Sequence, residues 1–414
     1  MPKAPNVKIV KFRIPKTCQC PHCGLNQSFK KDHEHWKIVK DININSPILL
    51  KVRIVSAKCS NPTCTTRSFA LPTPGIEKYS RSTKRLQVET IAGVVDDNST
   101  APRMSARLTR CFNTTGSDAS IYRWKQKTAD KYEIKDIIAR LEFSGILTLD
   151  EYMPKRADNY ALIAGDAVKQ RILYMEAVPG FYGRGYGRGA VKSFVEKLDN
   201  LGIKPWAIIF DLWAAFPEQV RKIWPGIIIQ YDYFHIMQWI HKYLKNAILQ
   251  FRRKLKAQGY EDMQAEIWEH KWRLLKNMDK WTGKDHKIIE ELIETYADTV
   301  IEKILIFKEE LYNIFDLSFT KEEAYAKRDA LYQERWWRSS WHLTKAMEFL
   351  MSDRFEYMIT YLEEHRIPRS GGLENLNSIW RQIESARFGF KTDKGRLDHL
   401  KLYQISKYLG GNLP

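Results

Sequence analysis

The segment Ser370-Gly-Gly-Leu-Glu-Asn-Leu-Asn377, near the C-terminus, decides how this chain is organised. Small residues before the first apolar one predict the start of a helix, and they place one carboxylate, Glu374, in its first turn. Far upstream, two apolar runs that are typical of buried strands each end in an aspartate, Asp150 and Asp211. Carboxylates gathered at one edge of a β-sheet are what a metal site there requires. We therefore expect Asp150, Asp211 and Glu374 to form one site.

A pattern of strands between residues 144 and 235 would bring the two aspartates together. Three strand-like runs precede a helical stretch, a fourth strand, a short helix and a fifth strand, in the order 146–149, 160–164, 171–178, 190–198, 206–210, 215–224 and 226–231. This order is that of an RNase H-like sheet, in which the first and fourth strands are neighbours, so Asp150 and Asp211 would meet. Taken alone, either aspartate could equally be an ordinary cap or turn former.

The segment from Phe234 to about Tyr361 is helical in pattern and separates Asp211 from Glu374. In residues 240–256 the apolar side chains form one stripe and the basic ones occupy other faces. The segment holds seven of the 13 tryptophans, which pack in cores more often than they stack on bases. Its lysines are either a solvated face or phosphate contacts. We expect an all-helical insertion that leaves the sheet and returns to it.

The charge of the chain favours a polyanionic partner. Lys and Arg number 67 against 49 Asp and Glu, giving a formal charge of +18, which attracts nucleic acid at long range. An anionic membrane surface is the alternative, but the sequence has no run of 18 apolar residues, and its first 16 residues lack the apolar block of a signal peptide. We therefore expect a soluble, intracellular protein. Its 414 residues are too many for one small core, so we expect two to four domains.

Five of the six cysteines crowd near the N-terminus, four of them in two spaced pairs. Cys20-Pro-His-Cys23 and Cys59-Ser-Asn-Pro-Thr-Cys64 flank a strand-like stretch, which is the pattern of a zinc ribbon. Four thiolates would complete a tetrahedral Zn²⁺ site, and a small β unit needs such a site because it buries little surface. The alternative is four reduced, buried thiols. Cys18 and His22 lie near the first pair; we expect Cys18 not to bind the metal, whereas His22 could replace one of the cysteine ligands. Cys111 lies in a later helix and is expected to pack in its core.

Residues 79–132 carry the pattern of short helices separated by polar turns. Ser117 is expected to cap the helix that follows it, with Ile121 and Trp124 packed inward. Three short basic helices fit a DNA-binding helix-turn-helix, and also a plain helical linker domain. Under the first interpretation, the outward-facing DNA contacts are Ser120, Arg123, Lys125 and Lys127.

Four further arginines are expected to touch DNA. Two lie in Gly183-Arg-Gly-Tyr-Gly-Arg-Gly189, a basic loop without the lysine and the Ser or Thr of a P-loop. The other two follow Glu374 along the C-terminal helical stretch. The four are Arg184, Arg188, Arg381 and Arg387.

Several short motifs occur together with the cysteine pairs. They are Leu149-Asp-Glu151, Phe210-Asp-Leu-Trp213, Asp232-Tyr-Phe-His235, Gly372-Leu-Glu-Asn-Leu-Asn377 and Arg387-Phe-Gly-Phe390. Through these motifs the chain resembles, over nearly its whole length, the DDE transposases of bacterial insertion sequences of the ISL-three type.

The resemblance implies a function and a set of partners. Asp150, Asp211 and Glu374 match the catalytic triad of the family, which implies a polynucleotidyl transferase that cuts and joins DNA at element ends. Three carboxylates suit two Mg²⁺ or Mn²⁺ ions roughly 3.5–4 Å apart. The implied partners are double-stranded DNA, both element ends and target, and further copies of the chain in a homodimer or higher oligomer. A nucleoid-associated, cytoplasmic bacterial protein follows, and a catalytically silent DNA-binding descendant is the alternative.

The expected fold class is multidomain α+β. An N-terminal zinc ribbon and a helix-turn-helix precede an RNase H-like α/β catalytic core that is interrupted by an all-helical insertion. The expected boundaries are residues 1–76 for the ribbon, 77–140 for the helix-turn-helix, 141–235 for the first part of the core, 236–365 for the insertion and 366–414 for the last part of the core.

Overall fold

The structure is a computed structural model that describes residues 6–42, 48–112, 114–152, 160–178, 188–212, 215–387, 390 and 392–411. These residues form two compact units, and the fold is a mixture of helices and sheets, as expected. The first unit contains the described residues up to Leu141 and those from Ile379 onward, and the second contains those from Glu142 to Ser378. The boundary expected at residue 366 therefore does not coincide with the division between the units.

The strands and helices are numbered in chain order. The strands are β1 (Asn6–Val10), β2 (Thr17–Gln19), β3 (Asn26–Ser28), β4 (Lys31–Lys40), β5 (Ile48–Lys58), β6 (Ser68–Ala70), β7 (Ile146–Tyr152), β8 (Tyr160–Asp166), β9 (Arg171–Val178), β10 (Ala207–Phe210) and β11 (Ile228–Tyr231). The α-helices are α1 (Lys84–Val95), α2 (Ala101–Phe112), α3 (Asp118–Ala129), α4 (Ile134–Arg140), α5 (Arg188–Asn200), α6 (Ala215–Ile223), α7 (Tyr233–Ala257), α8 (Glu261–Leu274), α9 (Gly283–Thr295), α10 (Val300–Phe315), α11 (Lys321–Glu334), α12 (Trp341–Leu350), α13 (Phe355–Met358), α14 (Leu373–Arg387) and α15 (Asp393–Tyr408).

Two small sheets begin the first unit. β2 and β3 form an antiparallel hairpin, while β5 pairs with β1, β4 and β6 in a second sheet. The strand pattern expected at residues 48–55 lies within β5. The hairpin and the β5–β6 pair meet in a small apolar cluster that contains Cys18, Cys20, Ala57 and Phe69. This cluster is small, so the segment buries little apolar surface of its own.

Helices α1, α2 and α3 pack around a second core of the first unit, which includes Leu86, Leu108 and Ile121. The prediction for α3 is confirmed at its start: the side chain of Ser117 accepts a hydrogen bond from the backbone N–H of Ser120. Ile121 is buried and Trp124 packs against the same core. The turn chemistry and apolar spacing of this segment thus predicted its helices correctly.

Two predictions in this unit are wrong. Lys125 does not face outward: it is buried, and its Nζ donates to the carbonyl oxygen of Gly395, 3.1 Å away, because α15 packs against α3. Cys111 is exposed rather than part of the core, because the last turn of α2 contacts that core through Phe112.

The sheet of the second unit has the strand order β11-β10-β7-β8-β9. The pairs β7–β8 and β8–β9 are antiparallel, whereas β10 runs parallel to both β7 and β11. The expected pairing of the first and fourth strands is therefore present. Leu149 on β7 is paired with Phe210 on β10. Because these two strands are parallel, the residues that follow, Asp150 and Asp211, lie side by side toward the C-terminal ends of the strands.

Between β11 and α14 the second unit is helical, as expected. The apolar stripe predicted for α7 is buried at Ile240, Leu244, Ile248 and Leu255. Among the tryptophans here, Trp337 is buried while Trp272 remains 63% exposed. No helix in the described part of the chain is both long enough and apolar enough to cross a membrane.

Candidate functional site

Asp150 is buried near the C-terminal end of β7, the central strand of the five-stranded sheet, and both of its carboxylate oxygens accept hydrogen bonds. Oδ1 accepts a hydrogen bond from the backbone N–H of the next residue, Glu151, at 2.7 Å. Oδ2 accepts one from the side-chain amide of Asn377 on α14. This carboxylate is therefore oriented from two sides, by its own strand and by the helix that carries Glu374.

The other two predicted carboxylates act on Asp150 through their charges. The pKa of Asp150 is raised from 3.8 to about 6, first by burial and also by the negative charges of Asp211 and Glu374. The backbone N–H of Glu151 and the charge of His235 act in the opposite direction. Asp211, at the end of β10, and Glu374, in the first turn of α14, are thus each close enough to Asp150 on β7 to affect its ionisation.

Their spacing differs from that of a closed metal site. In the described part of the chain, four cysteines have candidate ligand atoms that all lie within 4.8 Å of one another. The carboxylate oxygens of Asp150, Asp211 and Glu374 do not all lie within this distance of one another. Mutual repulsion favours this separation, since carboxylates share a site only with a proton or a cation between them.

Asp232 connects the end of β11 to the segment that carries Glu374. Its carboxylate accepts hydrogen bonds from the Ser370 hydroxyl, at 2.8 and 2.9 Å, and from the backbone N–H of Gly371, at 2.9 Å. It also caps α7 by accepting from the backbone N–H of Phe234 at 2.8 Å. These contacts fix the loop immediately before α14, so Asp232 holds Glu374 in place from a distance.

The two glycines of this loop are required by its close packing. A Cβ on Gly371 would collide with the side chain of Thr148 on β7. Gly372 has φ of 65°, in the left-handed region that glycine adopts without strain, and a Cβ there would collide with Gln170. Gly371 therefore lets the loop approach β7, and Gly372 lets the backbone turn at a positive φ without strain.

Arg369 anchors the returning chain on its other side. Its guanidinium donates to the Asp316 carboxylate and to the carbonyl oxygen of Phe315, both at 2.6 Å, and its own carbonyl oxygen accepts from the backbone N–H of Tyr233 at 3.0 Å. The sequence patterns gave no role to Asn377, although it ends a quoted motif, and they did not identify Arg369. Both act through contacts with residues distant in the chain, and no local spacing encodes such contacts.

A groove of about 980 Å³ adjoins this site along α7 and α8. Asp211 and His235 line one part of it, and Lys242, Lys245 and Trp272 line another. The ammonium group of Lys245 lies 5.5 Å from the ring centroid of Trp272. Cationic and aromatic side chains therefore extend from the carboxylates along one face of the helical segment.

The cysteine group lies in the first unit and contains all four predicted ligands. Cys20 Sγ is 3.9 Å from Cys64 Sγ, and Cys23 Sγ is 3.7 Å from Cys59 Sγ. The pKa of Cys23 is lowered to about 6, chiefly by the backbone N–H of Leu25. The four sulfurs could hold a metal ion. Cys18 does not belong to the group, as expected for a bystander.

The structure describes the side chains of some of the predicted DNA contacts and not of others. Arg123 and Lys127 are exposed on α3, Ser120 is half-buried beside them, and Arg381 is exposed on α14. Arg184 lies outside the described residues, as do the side chains of Arg188 and Arg387.

A model of a known protein family matches the chain. The family model for DDE transposases of the ISL-three type, whose description reads "Transposase", matches residues 147–394. No curated protein matches the chain. The matched range covers more than half of the chain and includes the three carboxylates, Asn377 and the helical segment between them.

Proposed function

The chain belongs to the ISL-three family of DDE transposases, and on this premise we propose that it binds the ends of an insertion sequence and catalyses metal-dependent cleavage and transfer of DNA strands. The strongest support is the register of β7 and β10, which places Asp150 beside the end of β10 at Asp211, within the matched range. A buried carboxylate with a raised pKa that has other carboxylates nearby is typical of catalytic sites.

Asp150, Asp211 and Glu374 would hold the divalent ions. Three carboxylates, one of them buried with a raised pKa, form a site that is unfavourable while all are ionised and becomes favourable with cations. Their hard oxygen donors suit Mg²⁺ or Mn²⁺. When bound, such ions supply Lewis-acid stabilisation of the charge that develops on phosphate oxygens.

The remaining residues of the site would position these groups. Asn377 orients the Asp150 carboxylate, and Asp232 fixes the loop that leads to Glu374. The groove lined by Lys242 and Lys245 would receive a DNA strand beside Asp211, since its cations suit a phosphate backbone. The strand order supports an RNase H-like core with a helical insertion.

The first unit would supply DNA recognition. We assign zinc to the four cysteines, because a set of four sulfur donors favours Zn²⁺ over hard cations. Arg123, Lys127 and Ser120 on α3 would contact the element end, with Arg381 adding a phosphate contact. Arg184, Arg188 and Arg387 keep the same proposed role. The working assembly would contain two or more copies of the chain.

The test is cleavage of a labelled duplex that carries the inverted repeats flanking the gene. We expect Mg²⁺-dependent nicks at the repeat ends, seen on a denaturing gel, and their loss with Asp211→Asn while binding persists. Tight binding without cleavage by the unmodified protein would favour the catalytically silent alternative. Absence of both would contradict the proposal.

A further inference from the structure

Tyr79 occupies an unfavourable position on the surface of the first unit. It is the third residue of a turn that is closed by a hydrogen bond from the Ser80 N–H to the Glu77 carbonyl oxygen, at 3.0 Å. Its φ of 66° lies in the left-handed region, where such a turn normally has Gly or Asn. The side chain is also 83% exposed, so burial does not offset this backbone strain.

The turn is held firmly. The Ser80 hydroxyl donates to the carbonyl oxygen of Ser82 at 2.8 Å and accepts from the Gln87 side chain at 3.1 Å. The next residue, Arg81, accepts a backbone hydrogen bond from Lys40 at 2.9 Å. Strain that the surrounding structure maintains in this way is characteristic of functional positions.

Tyr79 stands in the wall of a groove of about 730 Å³ that also contains the start of α3. The cationic side chains of the wall are Lys40, Lys78, Arg81, Arg123 and Lys127, and its acidic one is Glu77. Lys127 is paired with Glu77, and the ammonium of Lys78 lies 5.0 Å from the Tyr79 ring centroid. The excess of positive charge makes a polyanion the complementary occupant.

We infer that this groove holds duplex DNA and that Tyr79 is a DNA contact, its ring packed against the nucleic acid while the surrounding cations neutralise phosphates. The inference rests on the proposed DNA binding and adds to it the turn from Glu77 to Ser80, which lies outside the helices. The ring projects from a backbone that is already fixed, which lowers the entropic cost of binding.

The test compares Tyr79→Gly with Tyr79→Phe. Glycine removes the ring and also relieves the left-handed strain, so the variant should melt at a higher temperature than the unmodified protein and yet bind DNA about tenfold more weakly. Phenylalanine keeps the ring and should bind within about twofold of the unmodified protein. The probe is a fluorescein-labelled duplex that carries the inverted repeats, followed by fluorescence anisotropy at several salt concentrations.

Two controls separate the ring from charge and from general surface change. Tyr260→Ala removes another exposed tyrosine, in the second unit, and should leave affinity unchanged. Arg81→Ala should reduce the slope of log affinity against log salt by about one, whereas Tyr79→Gly should leave it unchanged. Unaltered binding by Tyr79→Gly would overturn the inference, as would binding to single-stranded DNA in preference to the duplex. If the unmodified protein does not bind the duplex, the proposed function itself fails.

Discussion

The side-chain amide of Asn377 donates a hydrogen bond from Nδ2 to Oδ2 of Asp150, across a separation of 227 positions in the chain. Asn377 is 1% exposed, and its Oδ1 has no hydrogen-bond partner among the described residues. Because α14 carries both Asn377 and Glu374, the same helix brings one carboxylate to the sheet edge and orients another. The helix therefore couples the position of Glu374 to the orientation of Asp150.

Replacement of Asn377 should weaken catalysis through this coupling. In Asn377→Leu the volume is retained but the hydrogen bond is lost, so we expect cleavage to fall about 10- to 100-fold and half-saturation to require more Mg²⁺. Calorimetric titration of Mn²⁺ into the DNA-free variant should show the same loss of affinity.

A neighbouring residue provides the matched control for that experiment. Asn375 lies on the same helix and is exposed. Asn375→Leu should retain Mn²⁺ affinity and cleavage. Equal effects of the two substitutions would show that the helix, and not the hydrogen bond to Asp150, is responsible.

The cysteine group predicts about one zinc per chain. Cys59→Ser or Cys64→Ser should lose the metal, because a site with three ligands opens to water and chelators. Elemental analysis after purification without chelator measures this directly. Cys111→Ser, which removes an exposed thiol outside the group, should retain zinc. An unmodified protein that contains no zinc would contradict the zinc-ribbon assignment.

DNA affinity should depend steeply on salt. The formal charge of +18 implies several phosphate contacts, each of which contributes close to one unit to the slope of log affinity against log salt. Arg123→Ala should reduce this slope by about one and weaken binding to all sequences similarly. A flat titration between low and physiological ionic strength would show that the charge is not a DNA-binding surface.

The raised pKa of Asp150 predicts a pH dependence of stability. In metal-free protein the folded state binds this proton more tightly than the unfolded state, with a pKa of about 6 against 3.8. The resulting stabilisation is complete below about pH 4 and is lost as the pH rises through 6, amounting to about 3 kcal/mol. Asp150→Asn stays neutral, so its stability relative to the unmodified protein should increase across this window. Urea denaturation in EDTA measures the difference, and parallel pH profiles would contradict it.

Local patterns predicted much of the framework. The alternation of apolar residues in β5, the buried runs of β7 and β10, and the Ser117 cap of α3 are features of neighbouring residues, so each can be identified without tertiary information. The pairing of β7 with β10 followed from element order.

Contacts between distant polar residues were not predictable. Asn377 and Asp150, Ser370 and Asp232, and Gly395 and Lys125 meet only after the chain has folded. An asparagine on a helix or a lysine on an apparent outer face has no local feature that reveals its partner. The same holds for Tyr79, whose backbone conformation departs from its residue type.

Glu374 is the decisive member of the three-carboxylate site, because it is far in sequence from Asp150 and Asp211. Glu374→Gln keeps the size of the side chain and removes its charge, so cleavage of the labelled repeat duplex in Mg²⁺ should collapse while folding and end binding persist. Asp150→Asn should abolish cleavage in the same way. The double variant Asp150→Asn/Glu374→Gln should cleave little worse than either single variant, because the effects of residues that act as a unit on the rate are not additive. Near-normal cleavage by Glu374→Gln, alongside an inactive Asp150→Asn, would contradict the three-carboxylate site.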